Sequence, residues 1–128
     1  MLDANAVGDL LAENPTAQKR FGRHMGAIGV SSIVAFELHY GLAKSRIRPS
    51  NRRALDAFFS NGVTIVDFDA QDAEVAGTLR YQMEAKGKPL GSFDLLIAAQ
   101  ALRMGATLIT RDAAFSLVKG LRVQDWTI

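Results

Sequence analysis

The sequence predicts an α/β fold, a three-layer α/β/α sandwich around a central parallel β-sheet. Three observations carry that expectation. Strand-like apolar segments alternate with helix-like ones along the whole chain, and parallel strands need such crossovers. The 128 residues suit one domain and leave no room for a second. No repeat, low-complexity tract or Pro/Gly/Ser linker divides them. A chain of this size should bury roughly two-thirds of its unfolded surface.

Met1 to Asp3 reads as the end of a short first strand. Val7, Leu10 and Leu11 fall at helical spacing, predicting a helix over Asn5 to Glu13 that Asn14-Pro15 ends. A second helix is expected over Ala17 to His24, then an apolar strand over Ala27 to Val30. Ser31 or Ser32 caps a helix through about Lys44, with Ile33, Phe36 and Tyr40 on its apolar stripe. A basic turn around Pro49 leads to a helix over Asn51 to Phe59. Asn61-Gly62 marks a turn before the β-branched strand Val63 to Val66. Ala70 to Ala85 predicts a long helix that Gly87 stops. Ser92 caps a helix through Met104, closed by Gly105. Ala106 to Thr110 is a strand, and Leu121 to Val123 a last edge strand. Crossovers should be right-handed, and ligands should bind beyond the carboxyl ends of the strands.

Composition removes several classes of function. With no cysteine there is no disulfide, thiolate metal site or cysteine nucleophile, which fits a reducing, cytoplasmic setting. The N-terminus carries acids early and no basic region, so no signal peptide is expected. No apolar run approaches the ~18 residues of a membrane span. His24 and His39 lack metal-ligand spacing, GLAKS at Gly41 to Ser45 is not a phosphate loop, and there is no G-x-S-x-G elbow. Phe58, Phe59 and Trp126 read as core or dimer contacts.

Net charge is only +2, but it is unevenly spread. From Asn14 to Leu55 there are eight bases (Lys19, Arg20, Arg23, Lys44, Arg46, Arg48, Arg52, Arg53) and one acid, Glu37. From Asp56 to Glu84 there are six acids and one base, Arg80. The basic window suggests a face that meets a polyanion such as nucleic acid, with Arg46, Arg48, Arg52 and Arg53 as candidate contacts to its backbone.

Three acids fall at or near the expected ligand edge. Asp3 follows the first strand, Asp112 follows the strand ending at Thr110, and Asp94 sits in the first turn of its helix. Each has an ordinary alternative as a cap, a turn residue or a partner of the helix dipole. Glu37 lies mid-helix among apolar residues, where a carboxylate is costly unless it is paired with an arginine or bound to a cation. Two carboxylates ~5 Å apart repel by about 3 kcal/mol at an effective dielectric near 20. Four converging acids would therefore need protons or a cation, and oxygen ligands favour magnesium or manganese over zinc. Such a site suits phosphodiester hydrolysis with one ion or two.

These residues also carry a resemblance. MLDAN at Met1 to Asn5, VSSIVAFELHYGLAKS at Val30 to Ser45, GKPLGSFDLLIAAQAL at Gly87 to Leu102, GATLITRDAAF at Gly105 to Phe115 and LRVQDW at Leu121 to Trp126 resemble a PIN-domain ribonuclease, specifically a VapC-type toxin of a toxin–antitoxin system. The resemblance spans essentially the whole chain, residues 1–128, as a single PIN domain. It implies a PIN-like sandwich and a Mg2+- or Mn2+-dependent endoribonuclease acting on RNA, often transfer RNA. It also implies a homodimer neutralised by a cognate VapB-type antitoxin. The family's acids carry over onto Asp3, Glu37, Asp94 and Asp112 as catalytic and metal-holding residues. Asn5 would fix the first carboxylate, and Thr110 would be a supporting hydroxyl. Two departures stand out. Ala4 takes the place of the Thr or Ser of many relatives, and the chain starts only two residues before Asp3, implying an upstream natural start or a weakly held first strand.

Two other readings compete. One is a non-catalytic RNA- or protein-binding module on the same fold, which would bind RNA without cutting it. The other is a receiver-like domain phosphorylated on aspartate, ranked low because no lysine follows the last strands in a suitable place.

Overall fold

A computed structural model describes residues 1–44 and 49–128; Arg46 and Arg48 lie outside the described residues. Its frame is a run of very short parallel strands. β1 (Gly29–Ser31) pairs with β2 (Thr64–Val66), and β3 (Leu108–Ile109) pairs with β4 (Val123–Gln124). Leu2 joins the two pairs, bridging Val30 on one side and Ile109 on the other. The order across the sheet is therefore β2, β1, Leu2, β3, β4, all parallel. The first strand is indeed short, yet it is held from both sides. Leu2 N–H donates to Gly29 O at 3.0 Å, Asp3 N–H to Ile109 O at 3.1 Å, and Ile109 N–H to Met1 O at 2.7 Å.

Consecutive strand residues point to opposite faces. Val30 and Ser31 are both buried, as are Leu108 and Ile109. Both faces of the sheet are thus covered, which is the three-layer arrangement. β1 and β2 approach so closely at Gly29 that a Cβ there would stand 3.3 Å from Val66 Cγ2.

The helices are α1 (Ala4–Leu11), α2 (Pro15–Arg23), α3 (Ser32–Lys44), α4 (Pro49–Ser60), α5 (Ala70–Ala85) and α6 (Ser92–Met104), with a 3₁₀ turn at Ala113–Leu117. α1 packs against α2, α3 and α4, while α5 packs along α6. Most expected elements are present, with shifted ends. Asn14 does not simply end α1: its side chain accepts from Ala17 N–H at 3.0 Å and caps α2, with Pro15 at the helix start. The 3₁₀ turn was not anticipated. Gly105 closes α6 in the left-handed conformation, at φ 64°.

One expectation about α3 fails. Phe36 and Tyr40 were placed on its buried stripe, but the buried residues are Val34 and Ala35, and both rings face solvent. The true inward face is one residue out of phase, because α3 is apolar on nearly all sides and periodicity could not choose between them. Phe58 and Trp126 are core residues, as expected. Among the described residues, no helix is long and apolar enough to cross a membrane.

Candidate active site

The four acids project from four separate elements. Asp3 leaves the central rung of the sheet with extended backbone and caps α1, its Oδ1 accepting Ala6 N–H at 2.9 Å. It is only 5% exposed. Asp112 follows β3 and caps the 3₁₀ turn, accepting Ala114 N–H at 2.9 Å. Asp94 is the third residue of α6. Ser92 does not cap that helix as expected; Gly91 occupies the cap without a side-chain bond, and Ser92 is already helical. Glu37 lies in α3, half-buried.

Electrostatics couples these side chains to one another. Burial pushes the Asp3 carboxyl up; the Thr110 hydroxyl and Ala6 N–H pull it down, Asp94 and Asp112 push it up, and the net direction is upward. Glu37 is raised by burial first, then by Asp94 and Asp3. Asp94 is raised by burial and then by Asp112. Five of the six pairs thus oppose each other's ionisation: Asp3–Asp94, Asp3–Asp112, Glu37–Asp94, Glu37–Asp3 and Asp94–Asp112.

No neutralising partner stands beside them. Among the described residues, no arginine, lysine or histidine forms an ion pair with any of the four. The alternative of Glu37 tied off by an arginine is therefore not met there. Glu37 Oε1 is buried with no hydrogen-bond partner. An unpaired buried carboxylate oxygen is expensive. Facing like charges, it marks a place that a hard divalent cation would fit, and the all-oxygen donor set suits magnesium or manganese. Among the described residues, no three of these side chains already stand in ligand geometry.

The supporting residues partly differ from expectation. Thr110 is buried, its Oγ1 accepts Asp112 N–H at 3.0 Å, and its hydroxyl also favours ionised Asp3, so it connects two of the acids. Asn5 was expected to fix Asp3. Its Oδ1 instead accepts Arg111 N–H at 3.3 Å and braces the segment that carries Asp112. Arg111 in turn pairs with Asp9 at 2.8 Å. Arg52 and Arg53 are exposed on α4.

Two polar groups, buried Gln100 and half-buried Ser32, have bracing roles that were not assigned from the sequence. Gln100, 0% exposed, donates from Nε2 to Val66 O at 3.2 Å and Asp67 O at 3.1 Å. Ser32 Oγ accepts Phe68 N–H at 3.0 Å. Together they fasten the exit of β2 to α6 and α3, the helices that bear Asp94 and Glu37. A polar residue inside the apolar run of α6 was the available signal. Asp72, also fully buried, bonds Arg103 and forms a reciprocal capping box with Asp69. The spacing of those two acids could have revealed it. A cavity of about 480 Å3 lies between α5 and α6, and none of the four acids lines it.

Comparison with known proteins gives the family and the fold. The PIN domain model matches residues 1–121. The tRNA(fMet)-specific endonuclease VapC of Shigella flexneri is 33% identical over 129 residues, covering 99% of this chain and 97% of the relative. Ribonuclease VapC2 of Rickettsia felis is 38% identical over 119 residues, covering 92% and 80%. Among solved structures, VapBC2 of Rickettsia felis bound to a promoter DNA fragment superposes with a TM-score of 0.91 at 34% identity, covering 98% of this chain and 97% of that one. DNA-bound VapBC of Salmonella typhimurium gives 0.92 at 31% identity, covering 98% and 96%.

Proposed function

The chain belongs to the PIN-domain family and, within it, to the VapC ribonucleases; from that premise we propose that it is a metal-dependent endoribonuclease toxin, held inactive by a VapB-type antitoxin. The observation that supports the reading is the electrostatic coupling of Asp3, Glu37, Asp94 and Asp112, with no ion pair to any of them among the described residues. The substrate is RNA, transfer RNA being the class on which the Shigella flexneri relative is named to act. We place the protein in the cytoplasm as a homodimer, each chain one PIN domain over residues 1–128.

A divalent ion, when bound, supplies stabilisation of phosphoryl charge and makes water more acidic. Asp3, Asp94 and Asp112 would hold it. Asp3 is fixed by Ala6 N–H and Asp112 by Ala114 N–H, so two of the three carboxylates are oriented in advance. Thr110 sets the spacing between them. Glu37 has a free buried oxygen and a raised affinity for protons. Those properties suit a group that orients the attacking water and accepts its proton. Arg52 and Arg53 would meet the RNA backbone away from the acids.

Attack by water on phosphorus leaves the 2′-hydroxyl unused. Incubation with manganese and a mixed RNA pool should give 5′-phosphate and 3′-hydroxyl ends. Cyclic 2′,3′-phosphate ends would refute the mechanism, and binding without cleavage would favour the non-catalytic module.

A further inference from the structure

Two of the four acids are preceded in the chain by solvent-facing phenyl rings. Phe36 stands before Glu37 and is 53% exposed; Phe93 stands before Asp94 and is 48% exposed. Although they come from different helices, the two rings touch, with centroids 5.5 Å apart and planes tilted by 58°. Tyr40, 60% exposed and one turn along α3, stacks on Phe36 at 6.5 Å and 20°. The result is a continuous aromatic lip across α3 and α6, bordering the acidic hollow through both backbones.

This arrangement is costly as surface and unnecessary as core. The buried face of α3 is supplied by Val34 and Ala35. We propose that the lip stacks an unpaired nucleobase next to the scissile phosphate, making Phe36 and Phe93 residues that position the RNA. The inference rests on the nuclease reading and deepens it.

Three points select a base over other occupants. Phe36 and Phe93 adjoin Glu37 and Asp94 in the chain, so a phosphate held at those acids would have its neighbouring bases near the rings. The acids repel a polyanion, so affinity beside them has to come from an uncharged part of the substrate. The lip is built from planar rings alone, and base–aromatic stacking needs a π-face where an ordinary apolar contact accepts any side chain of similar volume.

The last point gives the test. The pair Phe36→Leu with Phe93→Leu keeps apolar volume and removes the faces, while Phe36→Trp with Phe93→Trp keeps them. Cleavage of a mixed small-RNA pool with manganese is followed against RNA concentration, and oligomeric mass is measured by light scattering. The leucine pair should raise KM roughly 5- to 100-fold with a smaller change in kcat, the tryptophan pair should stay near wild type, and mass should not change. Unchanged KM in the leucine pair overturns the proposal. So does a change in mass, which would assign the lip to a second copy. If the wild-type chain does not cleave, the nuclease reading fails by itself. The lip is then judged by quenching of single-stranded RNA carrying 2-aminopurine: quenching lost only in the leucine pair supports it, and equal quenching in all three refutes it.

Discussion

Asp94→Asn is the cleanest perturbation of the acidic hollow. The substitution is isosteric, removes one charge and, unlike a change at Asp3 or Asp112, sacrifices no cap. Asp94 repels Asp3, Glu37 and Asp112. With solvent nearby, each of the three pairs is worth roughly 0.5–1 kcal/mol, well below the dry-interior limit. Against their relief stands the lost attraction between a first-turn acid and the α6 dipole, about 0.3–1 kcal/mol. In chelator and low salt near pH 8, the variant should therefore be more stable than wild type by about 1–2 kcal/mol. For a domain of this size that is a rise in Tm of about 4–8 °C. Manganese should reverse the order. At a hundred times its Kd the ion stabilises wild type by about 2.7 kcal/mol through mass action, and it should do little for the variant. Cleavage should fall to background. Thermal melts with chelator and with a manganese series measure both effects. A variant less stable than wild type in chelator, or one gaining as much from manganese, would refute the claim that repelling carboxylates share one ion.

Other consequences can be checked separately. Without metal, the raised carboxyls of Asp3, Glu37 and Asp94 destabilise the folded chain fully above their folded values, and that penalty fades as pH falls toward their ordinary 3.8 and 4.5. Asp72 behaves oppositely: burial raises its carboxyl, but Arg103 and Asp69 outweigh burial and lower it, so its contribution is present above 3.8 and is lost as pH falls through the lowered value. Denaturant midpoints in chelator should accordingly rise on mild acidification and drop at stronger acidity, and Asp94→Asn should flatten the rise. Asp72→Ala should cost about 1–2 kcal/mol through the lost capping box, with cleavage at low temperature intact; a melt and a cleavage assay decide it. Thr110→Val removes the hydroxyl that favours ionised Asp3, so the acid limb of the pH–rate profile should move to higher pH, whereas an unmoved limb would detach Thr110 from the site.

Much of the site was legible because its signals are local. Asp3, Asp94 and Asp112 stand where strands end or helices begin, and a parallel α/β chain gathers those points at one edge of its sheet. The same locality explains the errors. Asn5 and Thr110 were expected to support the acids; Thr110 reaches Asp112 and Asp3 whereas Asn5 reaches Arg111, because the partner of a short polar side chain depends on how the Arg111 segment folds back. The facing of α3 was misjudged because a helix apolar on most sides has no preferred inward side until α1, α6 and β2 pack on it.

By itself the sequence determined most of the order of elements and the parallel sheet, and it singled out the four acids as candidates, since periodicity, caps and strand ends are properties of neighbouring residues. Only the tertiary structure decided that Leu2 holds the first strand from both sides, that Glu37 keeps an unpartnered oxygen, and that Phe36 meets Phe93 in solvent. Those outcomes depend on contacts between residues far apart in the chain, whose energies exist only once the layers have closed.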